Sequence, residues 1–91
     1  MSRFWVYILT CSDGSLYTGV TNDLEKRIRR HNSGVGSKYT RARAPVKLSY
    51  AEVVDGKGQA LKREIRIKKL SRSAKLLLCS SYSAEGKLSV R

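Results

Sequence analysis

A chain of 91 residues has room for one small domain, and an apolar fraction of 41% is ordinary for a folded one, which excludes wholesale disorder. Its charge is not ordinary: 19 Lys and Arg stand against 7 Asp and Glu, a formal net charge of +12 that is costly in self-repulsion unless a polyanion uses it. Two cysteines and one histidine cannot build a tetrahedral zinc site alone, and no apolar run is long enough to cross a membrane.

Phe4 to Cys11 is rich in aromatic and β-branched residues and reads as a strand. Ser12-Asp13-Gly14 is a turn signal, and Leu16 to Val20 reads as the returning strand of a hairpin. A three-residue loop suits a type I turn followed by a left-handed residue, the place for Gly14. That loop pairs Cys11 with Ser15, Leu9 with Tyr17 and Tyr7 with Gly19, which puts Tyr7 and Tyr17 on one sheet face. A two-residue Asp13-Gly14 turn would put them on opposite faces, because a one-residue slip inverts every side chain.

A helix follows, with Asn22 or Thr21 as its cap and Asp23 and Glu25 in the first turn, where the helix dipole favours acids. Leu24 and Ile28 supply its buried stripe, and Arg27 and His31, four apart, share a neighbouring face. Asn32-Ser33-Gly34 ends it. Residues 33 to 45 read as a Gly-rich basic loop, and Leu48 to Val54 as a third strand. Asp55-Gly56-Lys57-Gly58 breaks that strand before a second helix from Gln59 to Leu70, whose buried face is assigned to Leu61 and Ile65, with Glu64 at the edge of the stripe. Ser71 or Ser73 caps a short third helix through Leu78. The expected fold is α/β: a small three-stranded antiparallel sheet, made of the hairpin and the third strand, flanked by helices. The domain is expected over residues 1–79, with residues 80–91 a polar, flexible tail.

The basic residues cluster. Lys26 to Lys47 holds eight Lys or Arg and no acid, and Lys62 to Lys75 holds seven, with Glu64 the only acid. Nucleic acid is the leading partner for such a chain, ahead of an anionic membrane, because the charge is spread over several elements. Lys38, Arg41, Arg43, Lys62 and Lys68 are the candidate contacts, with Tyr39 placed to stack on a base and the amides of Gly34 and Gly36 able to approach a phosphate. Glu64 reads either as an intrahelical partner of Lys68 or Lys62, or as a metal-binding carboxylate. Arg27 with His31 reads as a phosphate-binding pair or as a surface Arg beside a helix-terminal His. Tyr7 and Tyr17 read as core aromatics or as proton-transfer groups, the latter requiring cations or a metal nearby to lower an unperturbed pKa of about 10. Cys11 and Cys79 read as free thiols in a reducing, cytoplasmic location, with no disulfide-linked partner. The N-terminal residues lack the apolar region and cleavage site of a signal peptide.

The order of these residues is more specific than any one of them. Trp5-Val6-Tyr7, Tyr17-Thr18-Gly19, Thr21 to Leu24, Arg27, His31 and Glu64 resemble the GIY-YIG nuclease family. The stretch from Lys38 to Leu48, and Ala60 to Glu64 followed by Lys69 to Arg72, resemble its small single-domain YhbQ-like branch, and the likeness spans residues 4 to 78. The resemblance implies an endonuclease that hydrolyses DNA phosphodiesters with one divalent ion, Mg²⁺ or Mn²⁺. It implies that Tyr7 and Tyr17 face the active site and that Arg27 stabilises phosphate charge. His31 would be a proton carrier or phosphate ligand, and Glu64 the metal-binding carboxylate. Trp5 and Thr18 depart from the family triplets. The asparagine that several family nucleases carry after the metal-binding Glu is missing, since Asn22 and Asn32 both precede Glu64. The absence of a separate DNA-recognition domain points to little sequence specificity, and Tyr39 to single-stranded or distorted DNA over duplex, with RNA possible. The alternative is a non-catalytic nucleic-acid-binding module, for DNA or structured RNA, using the same basic face.

Overall fold

The computed structural model describes residues 3–84. Strands β1 (Arg3–Thr10), β2 (Leu16–Thr21) and β3 (Lys47–Asp55) form one antiparallel sheet in the order β2-β1-β3. Helices α1 (Leu24–Asn32) and α2 (Lys38–Arg41) precede β3, and α3 (Lys57–Lys68) and α4 (Arg72–Ala84) follow it.

The hairpin has the three-residue loop. Leu9 pairs with Tyr17 and Tyr7 with Gly19, the Cys11 amide donates to the Ser15 carbonyl at 2.9 Å, and Gly14 takes φ +84°, a conformation costly for any residue with a Cβ. Tyr7 and Tyr17 therefore share a face. On the other side of β1 the register shifts between Ile8, which meets Tyr50, and Leu9, which meets Leu48. Ser49 is the extra residue of this bulge, and its hydroxyl lies 2.6 Å from that of Thr10.

The central strand is covered on both sides, so Val6, Tyr7, Ile8 and Leu9 are buried in succession rather than in alternation. Val6 and Ile8 pack against Ala60 and Ile67 of α3 and, through the surrounding shell, Leu78 and Cys79 of α4. Tyr7 and Leu9 pack with Cys11 and Val46, and with Leu24 and Ile28 of α1. Cys11 and Cys79 are both free and belong to these two different layers.

Four sequence expectations change. The cap of α1 is Asp23, whose side chain accepts from the Lys26 amide, while the Thr21 hydroxyl accepts from the Asp23 amide. The expected loop contains α2, held by a capping box in which Ser37 and Thr40 satisfy each other's amides. Helix α3 starts at Lys57 and buries Ala60 and Ile67, leaving Leu61 and Ile65 42% and 53% exposed. The small Ala60 lets the helix sit close on Val6 and Ile8, and that packing fixes which face turns inward. Finally, α4 runs through Ala84, so residues 80–84 of the expected tail are helical, and residues 85–91 lie outside the described residues.

Candidate active site

β2 is an edge strand, with α1 beyond one face of the sheet and α3 beyond the other. The two helices meet around this edge, and there the chain forms an open cleft of about 460 Å³. Tyr7, Tyr17, Arg27 and Glu64 all line it, each from a different element, together with Gly19, Thr21, Asn22, Lys57 and Leu61.

Gly19 makes the convergence possible. A Cβ there would sit 2.5 Å from the Tyr7 hydroxyl and 2.6 Å from its Cζ. Tyr7 is fully buried and has no space to withdraw. Its ring centroid lies 6.4 Å from that of Tyr17. Burial pushes the Tyr7 phenol up to about 12; Arg27 beside it acts in the opposite sense, and Tyr17 and Glu64 add to the rise. Tyr7 is thus a neutral hydrogen-bonding phenol at pH 7, while Tyr17 is half-buried and borders the cleft.

His31 stands behind Tyr7 and is fully buried. Its Nε2 lies 3.1 Å from the Tyr7 hydroxyl and its Nδ1 2.7 Å from the Thr40 hydroxyl. A neutral ring donates at one nitrogen and accepts at the other, so hydrogen bonding along Tyr7–His31–Thr40 runs in one sense. Gly36 abuts the imidazole so closely that a Cβ there would overlap it. With both nitrogens engaged and its ring edge-on to Tyr17 at 5.2 Å, His31 meets the cleft through Tyr7 and Tyr17, not as a direct phosphate ligand.

Burial, and then the Arg27 charge, hold the His31 pKa below its ordinary 6.5. The unfolded chain therefore binds this proton first on acidification. The stability contributed by the neutral ring is complete above pH 6.5 and lost as pH falls through the lower folded-state value. Urea midpoints at pH 7.5 and 5.5 should fall more for wild type than for His31→Gln; equal falls would show that His31 is not the group responsible.

Arg27 is partly buried, and its Nε has no hydrogen-bond partner among the described residues. Arg27 also lines the cleft beside the Tyr7 phenol, where a guanidinium suits an anionic oxygen. Glu64 has a side chain 19% exposed and an ion pair to Lys68 at 3.3 Å, the intrahelical partner of its first reading, and it also borders the cleft. Among the described residues no three His, Cys, Asp or Glu side chains cluster to hold a metal ion. A hard cation at Glu64 would be held by one carboxylate and water, a donor set that suits Mg²⁺, which keeps several of its waters.

The remaining candidates separate. Tyr39 stacks on Tyr17 at 5.9 Å, and the Arg43 guanidinium lies 4.0 Å from its ring centroid, so both neighbours compete with a base for its faces. Arg43 also donates to Asp13 at 3.1 Å and to the Tyr39 carbonyl at 2.9 Å, tying the α2 segment to the hairpin turn. Lys38 and Arg41 are exposed on α2. Lys62 lines a different groove with Gln59, Arg63 and Arg66. Lys57, which sequence reasoning placed in a turn, lines the cleft. Its spacing of seven from Glu64 puts both on one helical face, a signal that needed only an earlier helix start.

The GIY-YIG catalytic domain family matches residues 3–77. A UPF0213 protein of Clostridium perfringens is 61% identical over 79 residues, covering 87% of this chain and 85% of the relative. The solution NMR structure of a UPF0213 protein from Bacillus halodurans is similar at 46% identity and a TM-score of 0.55, covering 86% of this chain and 83% of the other. A second NMR structure, of a protein from E. faecalis, gives 36% identity and a TM-score of 0.60, covering 92% and 90%.

Proposed function

The chain belongs to the GIY-YIG catalytic domain family, a family of nuclease type, and from that premise we propose that it is a divalent-metal-dependent endonuclease hydrolysing DNA phosphodiester bonds. The observation that carries the proposal is the convergence of Tyr7, Tyr17, Arg27 and Glu64 on one cleft from four separate elements. Core packing alone gives no reason for a carboxylate, a guanidinium and two phenols to meet at an open sheet edge.

Phosphodiester hydrolysis needs an oriented water, a base for its proton, and positive charge beside the phosphoryl oxygens. Arg27 and Lys57 hold the non-bridging oxygens. Tyr17, on the open side of the cleft, acts as its tyrosinate and takes the proton of the attacking water as general base, becoming the neutral phenol. Tyr7, neutral and fixed by His31, is a hydrogen-bonding neighbour that orients this set. Glu64 is the carboxylate that holds Mg²⁺ or Mn²⁺, and a bound cation would offset charge on the leaving oxygen. We assign single-stranded or distorted DNA, read with little sequence preference, as the substrate, and a cytoplasmic location in which Cys11 and Cys79 remain thiols. Among the described residues no helix is long and apolar enough to cross a membrane.

A second reading, a nucleic-acid-binding module without catalysis, is favoured by the Glu64–Lys68 ion pair, which gives Glu64 a structural role. Both readings require binding through phosphates. If about four phosphates of a single strand are neutralised, log affinity falls against log salt with a slope of about −3. A fluorescence-anisotropy titration checks this: a flat salt dependence contradicts both readings, and metal-dependent cleavage separates them.

A further inference from the structure

We infer that the exposed ridge of Leu61 and Ile65 on α3 receives unpaired nucleobases beside the phosphate held in the cleft; this rests on the nuclease reading of that cleft. The two side chains are 42% and 53% exposed, and their spacing of four makes them one continuous apolar ridge. Leu61 itself lines the cleft with Lys57 and Glu64, and Ile65 follows Glu64 in the chain. The core does not use them, since α3 packs inward through Ala60 and Ile67.

Lys57, Lys62, Arg66 and Lys68 are on the same short helix. In a chain of net charge +12, a second copy docking here would bring like charges together. A partner that satisfies both ridge and lysines carries anionic groups next to apolar faces. A nucleic acid strand with unpaired bases does so, whereas in a duplex those faces are stacked and inaccessible. Tyr39, the other candidate base contact, is already stacked with Tyr17 and covered by Arg43. Contact with an unstacked base next to the bound phosphate therefore falls to the ridge, by burial of apolar surface rather than by aromatic stacking.

The test compares binding of a single-stranded oligonucleotide with that of an abasic strand of equal length, without divalent metal. The proteins are the wild type, a Leu61→Ser/Ile65→Ser pair, and a conservative Leu61→Met/Ile65→Leu pair. Wild type should prefer the base-bearing strand by about tenfold, the serine pair should lose that preference, and the conservative pair should keep it. A 2-aminopurine in the strand should brighten on binding wild type and not on binding the serine pair, as its base leaves the stack. The inference is overturned if the serine pair keeps the preference. It is equally overturned if that pair loses affinity only for phosphatidylserine vesicles, which would make the ridge a lipid contact. A wild type that binds neither strand overturns the nuclease reading itself; one that binds both strands equally overturns the ridge alone.

Discussion

Glu64→Gln is expected to abolish cleavage while leaving the fold and DNA affinity intact. Glutamine keeps the size of the side chain and an amide oxygen, but it removes the negative charge that draws a divalent ion into a cleft lined by Arg27 and Lys57. Phosphate binding does not suffer, because the cleft becomes more positive. The stability change is small. Losing an i,i+4 pair whose lysine side chain is 55% exposed costs about 0.2–0.5 kcal/mol. The purely structural role of Glu64 gives the opposite pattern, that same small loss of stability with activity unchanged. Melting temperature, DNA affinity and Mg²⁺-dependent cleavage, measured on the same preparations, tell them apart. Full cleavage by the glutamine variant removes Glu64 as the required ligand.

Tyr17→Phe is the second large effect. If Tyr17 takes the proton of the attacking water, its loss lowers the single-turnover rate by about 10²–10⁴-fold with DNA affinity unchanged. Tyr7→Phe acts differently. It leaves the buried His31 Nε2 without its partner at 3.1 Å, which costs about 1–3 kcal/mol of stability, and it loosens the packing around Tyr17. The expected signature is a fully folded, inactive Tyr17→Phe beside a destabilised Tyr7→Phe that retains partial activity. A Tyr17→Phe enzyme at wild-type rate, with a stable but inactive Tyr7→Phe, would exchange the two roles. The raised Tyr7 pKa argues against that exchange, since a phenol held near 12 gives up its proton reluctantly.

Local chemistry explains which parts of this arrangement are legible in the sequence. The hairpin register follows from the loop length together with one glycine, so the sequence favours the shared face of Tyr7 and Tyr17 once Gly14 is the third residue of the loop, and the structure has that loop. Helix α2 cannot be found that way. It is a single turn, too short to persist without tertiary support, and His31 supplies that support through Thr40. The pattern Ser37-x-x-Thr40 is its only local trace, with threonine in place of the usual Glu or Gln of a capping box.

The face of α3 illustrates the converse failure. Leu61 and Ile65 have the spacing and apolarity of a core stripe, yet the stripe that packs is Ala60 and Ile67, with Glu64 between them and only partly open. Hydrophobicity alone favours the larger residues; close approach to Val6 and Ile8 favours the small one. The site inherits this dependence on tertiary packing. Nothing local in α1 or α3 states that Arg27 and Glu64 meet around the edge of β2, and the burial of His31 is set by Gly36 and Thr40 from a segment read as loop.

The most direct test of the central claim is cleavage of labelled single-stranded, duplex and branched DNA by the wild-type protein, with Mg²⁺ or Mn²⁺ added and then removed by a chelator. The expected result is fragments that accumulate only with metal and stop accumulating on chelation, fastest on the single-stranded or distorted substrate. Intact DNA of every form with either metal, while salt-sensitive binding persists, would contradict the nuclease assignment and leave the cleft as a phosphate-binding surface.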